Sequence, residues 1–201
     1  MKTYEKYLKD YQIDCVREIE RNAFYNRKSS TLFLGDSLIY NLDLNKHAIN
    51  ANKAGINGAT SNTLLHLSDI IVSYYPEEIF ILVGTNDLSD EYNWDILEIA
   101  FNVFKLINGI QTKLANTKFH IISVLPIDES KSLSANKTNS LIKRLNVELV
   151  NIVNDLDNTD YIDMYSSFAL NGQLNPVYSK DGLHINEEGY ELFVSLLKKV
   201  V

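Results

Sequence analysis

Ser37, Asp181 and His184 are residues whose types and spacing could support nucleophilic catalysis. Ser37 stands in residues 35–38, which read Gly-Asp-Ser-Leu directly after a short apolar run. Asp181 precedes His184 by three residues, so its carboxylate could accept a hydrogen bond from one ring nitrogen while the other takes the serine proton. Both segments also have a plain structural interpretation, as a turn with a helix cap and as a loop histidine beside a surface acid. The other histidines stand in no comparable sequence setting: His47, His66 and His120.

Two further segments could supply hydrogen-bond donors to a developing oxyanion. Residues 55–60 read Gly-Ile-Asn-Gly-Ala-Thr, and Gly58 has no side chain to keep its backbone N–H away from a reacting carbonyl. Residues 84–87 read Gly-Thr-Asn-Asp after the clearest apolar run, and the Asn86 amide could donate to an oxyanion. Each segment alone could be an ordinary turn. The whole set, in the order serine, glycine, asparagine, aspartate and histidine, predicts acyl transfer.

Apolar runs of β type alternate along the chain with longer helical patterns, which indicates a parallel sheet covered by helices on both faces. Strands are predicted at 31–35, near 47–52, and at 79–84, 119–124 and 161–162. Helices are predicted over 4–24, 94–115 and 136–155, with a last one that begins after an Asn186 cap. Because the carboxyl ends of parallel strands meet at one edge, we expect the polar segments to lie close together there.

Length, charge and cysteine content narrow the classes of protein to consider. A chain of 201 residues suits one domain, predicted over 1–201 with an N-terminal helical extension at about 1–28. The net charge of −7 argues against a nucleic-acid partner. The single cysteine allows no intrachain disulfide, and no apolar stretch approaches the ~20 residues of a membrane helix. The charged first residues predict a cytoplasmic protein, and scattered acids and histidines without ligand spacing predict no metal.

With these segments the sequence resembles the GDSL, or SGNH, hydrolases. Ser37, Gly58, Asn86 and His184 match the family's four blocks in order, and Asp181 matches the acid of its DxxH block. The resemblance runs from about residue 31 to the C-terminus. It implies a flavodoxin-like three-layer αβα sandwich with a five-stranded parallel sheet. It also implies an oxyanion hole made by the backbone N–H groups of Ser37 and Gly58 and the side-chain amide of Asn86.

Within that family, the spacing of the blocks and residues 124–126 (Val-Leu-Pro) look most like the platelet-activating-factor acetylhydrolase-like branch, which favours short acyl groups. The prediction is therefore a serine esterase that acts on a small-molecule ester, with acetyl as the expected acyl group, through an acyl-enzyme and without a cofactor. Ser37 is the predicted nucleophile, His184 the base and Asp181 the residue that orients it. The alternatives are a thioesterase or lysophospholipase of the same family, or a non-catalytic binding protein on the same fold. The sequence does not indicate an oligomeric state.

Overall fold

The computed structural model describes residues 4–25, 27–92 and 94–199. Five strands form one sheet in the order β2-β1-β3-β4-β5, and every neighbouring pair is parallel. The strands are β1 (Thr31–Gly35), β2 (Asn52–Gly55), β3 (Glu78–Leu82), β4 (Lys118–Ile122) and β5 (Thr159–Ile162). This order confirms the predicted α/β fold with a five-stranded parallel sheet.

Helices cover both faces of the sheet. Within the described residues they are α1 (Asp10–Tyr25), α2 (Ser37–Asn41), α3 (Ser61–Leu65), α4 (Ser68–Val72), α5 (Ile96–Gln111), α6 (Asn139–Val153), α7 (Tyr165–Phe168) and α8 (Glu187–Leu197). A two-stranded hairpin, β6 (Ala169–Leu170) and β7 (Gln173–Leu174), precedes the loop that leads to α8. None of these helices combines the length and apolar character needed to cross a membrane.

The three layers follow from the alternation of side chains along the strands. Leu32 and Leu34 of β1 belong to one buried cluster, which includes side chains of α5 and α6. Phe33, between them, belongs to a second cluster, on the face that carries α8. Because both faces of the sheet are buried, β1 and β3 contain continuous apolar runs, at residues 32–34 and 79–82, rather than an alternating pattern.

The second strand lies later in the chain than predicted. Residues 47–52 were expected to form it, whereas β2 occupies Asn52–Gly55 and pairs with β1. A turn at residues 44–48 occupies the start of the predicted segment, where the Asp43 carboxylate accepts a hydrogen bond from the Lys46 N–H at 3.0 Å and Ala48 has a φ of 54°. The prediction was therefore wrong in position but right in the existence of a strand between β1 and β3.

The helix predicted over 4–24 is interrupted. A short 3₁₀ turn at Glu5–Tyr7 is followed by α1, which begins at Asp10. Its buried side chains are Gln12, Val16, Ile19 and Ala23, whereas Tyr11 is 59% exposed. Residues 1–3 and 26 of the predicted N-terminal extension lie outside the described residues.

Candidate active site

Ser37 is the first residue of α2, and Asp36 alone separates it from the end of β1. The buried Asp36 carboxylate caps this helix by accepting a hydrogen bond from the Leu38 N–H at 2.9 Å. The predicted helix cap is thus present, and it fixes the backbone from which the Ser37 hydroxyl projects. The N–H groups of a helix's first turn have no partner inside the helix, so the Ser37 N–H can donate to an acceptor outside it.

His184 links the serine to Asp181 in one chain of hydrogen bonds. Its Nε2 lies 3.1 Å from the Ser37 hydroxyl oxygen, and its Nδ1 lies 2.8 Å from Oδ2 of Asp181. The other carboxylate oxygen, Oδ1, accepts the backbone N–H groups of His184 at 2.7 Å and Leu183 at 3.0 Å. Gly182 makes this fold of the loop possible, because its φ of 95° lies in a region that residues with side chains rarely adopt.

The hydrogen bonds to Asp181 keep its carboxylate charged. Partial burial raises the pKa of Asp181, but the donors from the His184 side chain and backbone and from Leu183 outweigh it and lower the pKa to about 2. A carboxylate that accepts from Nδ1 holds the imidazole proton on that nitrogen, which leaves the Nε2 lone pair directed at Ser37.

Side chains of α1 contact the loop that carries Gly58. Gly58 has a φ of 68°, and a Cβ there would lie 2.6 Å from the Tyr11 hydroxyl. The Gln12 side-chain amide donates to the Asn57 carbonyl at 2.9 Å. No described residue accepts a hydrogen bond from the Gly58 N–H. Helix α1, for which the sequence indicated no role, therefore fixes a loop that carries a candidate oxyanion donor.

Asn86 is fixed to the same loop. Its side-chain amide donates one hydrogen to the Ala59 carbonyl at 2.9 Å, which leaves its second hydrogen for another acceptor. The loop is in turn attached to the first segment, because the Ile56 N–H donates to the Gly35 carbonyl at 2.9 Å. The structure thus brings the predicted segments together at the carboxyl ends of β1, β2 and β3.

Two buried carboxylates support this arrangement, and sequence reasoning assigned them no such role. Asp87 accepts the Ser61 hydroxyl at 2.6 Å and its N–H at 2.9 Å, so it ties the Asn86 segment to α3. Burial raises the pKa of Asp36 to about 7 and that of Asp87 to about 6, although hydrogen bonds from Leu38 and Ser61 oppose the shift. In the sequence, Asp36 and Asp87 are marked only by their positions next to Ser37 and Asn86.

His120 also contacts carboxylates, although its sequence setting gives no sign of this. Its Nδ1 lies 2.6 Å from Asp160 and its Nε2 lies 2.9 Å from Glu78. Both ring nitrogens are therefore occupied by carboxylates, and the residue lies in the middle of β4, where it is aligned with Phe80 of β3 and Asp160 of β5. This histidine cross-links three strands and has no nitrogen left to act as a base.

A pocket of about 520 Å³ borders His184. We call it the His184 pocket; it is lined by residues 89–91, 127–128, 131–134, 137 and 181–184. Most of these side chains are polar or charged. Within the described part of the chain, no group of three or more histidine, cysteine or acidic side chains is placed to hold a metal ion.

Solved structures of other proteins share the overall fold of this chain. A solved structure from Streptococcus pneumoniae, whose given name connects it with platelet activating factor, superposes with a TM-score of 0.85 at 21% identity and covers 98% of this chain and 95% of its own. Est24, a carbohydrate acetylesterase from Sinorhizobium meliloti, superposes with a TM-score of 0.67 at 16% identity, covering 85% of this chain and 97% of its own. At these identities the likeness establishes a shared fold.

Sequence comparison gives a curated relative and a family. The N-acylneuraminate cytidylyltransferase of Escherichia coli O18:K1:H7 is 30% identical over 192 residues, which are 90% of this chain and 42% of that protein. The chain thus spans less than half the length of this relative. Residues 33–192 match the GDSL-like Lipase/Acylhydrolase family, and this segment contains every residue of the candidate site. The chain therefore belongs to the GDSL-like lipase and acylhydrolase family, a family of hydrolases.

Proposed function

We propose that this protein is a serine esterase that removes small acyl groups, acetyl in first place, from a hydroxyl group of a sugar. The observation that carries the proposal is the unbroken chain of hydrogen bonds from Ser37 through His184 to Asp181, with distances of 3.1 and 2.8 Å. Such a chain activates a hydroxyl that is otherwise a weak nucleophile.

In the proposed first half-reaction, the Ser37 oxygen attacks the ester carbonyl while His184 Nε2 takes the hydroxyl proton. The carbonyl oxygen becomes an anion that accepts from the Ser37 and Gly58 backbone N–H groups and the Asn86 amide. Donors already fixed in place stabilise this charge more effectively than water, which must reorient. The tetrahedral intermediate then collapses, the bond to the leaving alcohol breaks, and His184 returns its proton to that alcohol.

In the second half-reaction, water replaces the alcohol. His184 takes a proton from this water, which attacks the acyl carbonyl on Ser37, and the same donors stabilise the second oxyanion. Collapse releases the carboxylic acid and returns the proton to the Ser37 oxygen. Asp181 stays ionised throughout and stabilises the imidazolium that forms in each half-reaction.

Replacement of Asn86 by alanine tests the third oxyanion donor. We expect turnover to fall by roughly 10²–10³, the usual effect of removing one such donor. The KM should change less, because this hydrogen bond strengthens as the carbonyl becomes an anion. Steady-state kinetics on a small acetyl ester separate the two parameters. A hundredfold rise in KM at unchanged turnover would instead make Asn86 a substrate-binding residue.

The nature of the alcohol is proposed from the comparisons. Est24 is named as a carbohydrate acetylesterase, and the E. coli relative is named for N-acylneuraminate, itself a sugar acid. An O-acetylated sugar is accordingly the substrate class we propose.

Hydrolysis of p-nitrophenyl esters with acyl chains from acetyl to dodecanoyl tests the function and the acyl size together. We expect acetyl or butyryl esters to be turned over with a higher kcat/KM than octanoyl or longer esters. A well-placed methylene contributes roughly 1–3 kcal/mol in an apolar pocket, so an enzyme with a long groove would show a steep rise along the series.

The same series distinguishes the alternatives. A kcat/KM that rises as far as dodecanoyl would contradict the proposal and favour the thioesterase or lysophospholipase alternative. Absence of hydrolysis along the whole series and on acetylated sugars would favour a non-catalytic binding protein. Because the proposed mechanism uses no metal, activity should be retained in the presence of a chelator.

A further inference from the structure

Lys137 carries a positive charge in an unusual position. It is only 9% exposed, whereas lysine side chains are rarely buried without a partner. Within the described residues, its ammonium has no hydrogen bond and no ion pair within 4 Å. The residue lines the His184 pocket, the same pocket that Asp181 and His184 border. Lys137 is therefore a desolvated cation directed to the space beside the proposed catalytic histidine.

Three carboxylates act electrostatically on Lys137, but none of them accepts a hydrogen bond from its ammonium. Asp36, Asp87 and Asp90 raise the pKa of Lys137, although burial outweighs them and lowers it. Each of these carboxylates already accepts hydrogen bonds from backbone N–H groups or from Ser61. They balance the charge of the ammonium at a distance and leave its three donors without acceptors.

The charged groups that share the pocket with Lys137 are otherwise paired. Lys131, the other cation of the lining, lies 3.3 Å from Asp128. Glu91 forms an ion pair with Lys9, and Asp181 binds His184. Asp90 accepts the backbone N–H groups of residues 135 and 136. Among the described residues of the lining, Lys137 is thus the cation that has no ion pair within 4 Å and can form one with a ligand.

The proposed reaction determines which part of a substrate would meet that charge. His184 returns its proton to the leaving alcohol, so the alcohol must lie against the His184 ring. The pocket lined by both His184 and Lys137 is then available to the alcohol part of the ester. We propose that the Lys137 ammonium binds a carboxylate on the alcohol part of the ester, so that the preferred substrate is the acetyl ester of a sugar acid.

This inference rests on the proposed function and is tested with one pair of compounds. The pair is mono-O-acetyl-N-acetylneuraminate and the same ester with its carboxylate converted to the carboxamide. We expect the wild type to hydrolyse the acid with a kcat/KM about 10- to 100-fold higher than the amide, the range expected for one hydrogen bond to a charged group. A ratio below about threefold would overturn the inference without any variant, even if both compounds are substrates.

Lys137→Met should abolish this preference, because kcat/KM should fall more for the acid than for the amide and p-nitrophenyl acetate, which carry no carboxylate. Lys137→Arg should retain part of the preference, because it keeps the charge. The matched control is Lys131→Met, which removes an already paired cation from the same pocket and should leave the acid-to-amide ratio unchanged.

The outcomes separate this inference from its alternatives. If Lys137 only balances the buried acids, Lys137→Met will lower thermal stability and reduce hydrolysis of acid, amide and p-nitrophenyl acetate alike, which would overturn the inference. If Lys137→Met does not fold, the same measurements on Lys137→Gln, together with the acid-to-amide ratio of kcat/KM for the wild type, test the inference. If wild-type protein hydrolyses no ester at all, the proposed function fails first. If it hydrolyses p-nitrophenyl acetate but shows no preference for the acid, only the Lys137 inference fails.

Discussion

Ser37→Ala should lower turnover of a small acetyl ester by on the order of 10⁶, close to the loss of all acyl-enzyme chemistry. The substitution removes the atom that forms the covalent bond, and no other hydroxyl has been found within reach of His184 Nε2 among the described residues. Some rate above the uncatalysed reaction should persist, because the oxyanion donors and the substrate contacts stay in place. Steady-state and single-turnover kinetics measure the loss.

Stability serves as the control for Ser37→Ala. The only hydrogen bond of the Ser37 hydroxyl to a described side chain is with His184, while the helix cap at Asp36 uses the Leu38 backbone. The variant should therefore unfold within a few degrees of the wild type. Activity within tenfold of wild type in a folded variant would exclude Ser37 as the nucleophile.

Asp181→Asn should lower turnover by about 10⁴ with little change in KM, as expected when a triad histidine is held in the wrong tautomer. The asparagine oxygen can still accept the backbone N–H groups of Leu183 and His184, so the loop should keep its shape. Its amide nitrogen, however, would donate to Nδ1 and shift the ring proton to Nε2, where it blocks transfer from Ser37. Kinetics together with the NMR signals of the ring proton measure both effects.

Asp160→Asn is the matched control, because Asp160 also contacts a histidine Nδ1 but lies in β5, which β3 and β4 separate from β1. It should leave turnover unchanged. The wild type gives a second check. Since the pKa of Asp181 is about 2, wild-type activity should not decline through protonation of this carboxylate until the pH falls below about 4. Equal losses in Asp160→Asn and Asp181→Asn would mean that the effect is structural.

The parts of the fold that the sequence predicted are those whose signals are local. Residues 79–82 of β3 are apolar on both faces, and the last helix begins after the predicted cap, where Asn186 accepts from the Gly189 N–H at 2.9 Å. Asp181 and His184 were predictable as a pair because they are only three positions apart in the same loop. The pairing of His184 with Ser37 depended on the rule that strand ends meet at one edge.

The features that sequence reasoning missed depend on contacts between distant segments. Strand β2 reads Asn-Lys-Ala-Gly, which has little β-type character, and its place is set by pairing with β1. Gln12 is buried because its amide reaches the Asn57 carbonyl, 45 positions away. The loop that carries Lys137 is held by Asp90, 45 positions before Ala135, and nothing in residues 134–138 distinguishes Lys137 from a solvent-exposed lysine.

The most direct test of the central claim is covalent labelling by a fluorophosphonate, followed by intact-mass measurement and peptide mapping. These reagents phosphonylate a serine only when a neighbouring base activates it. We predict one adduct per chain, on Ser37, that forms much more slowly in Asp181→Asn and is absent in Ser37→Ala. A protein that hydrolyses acetyl esters but takes up no label, or carries the label on another residue, would contradict the assignment of Ser37, His184 and Asp181 as the catalytic set.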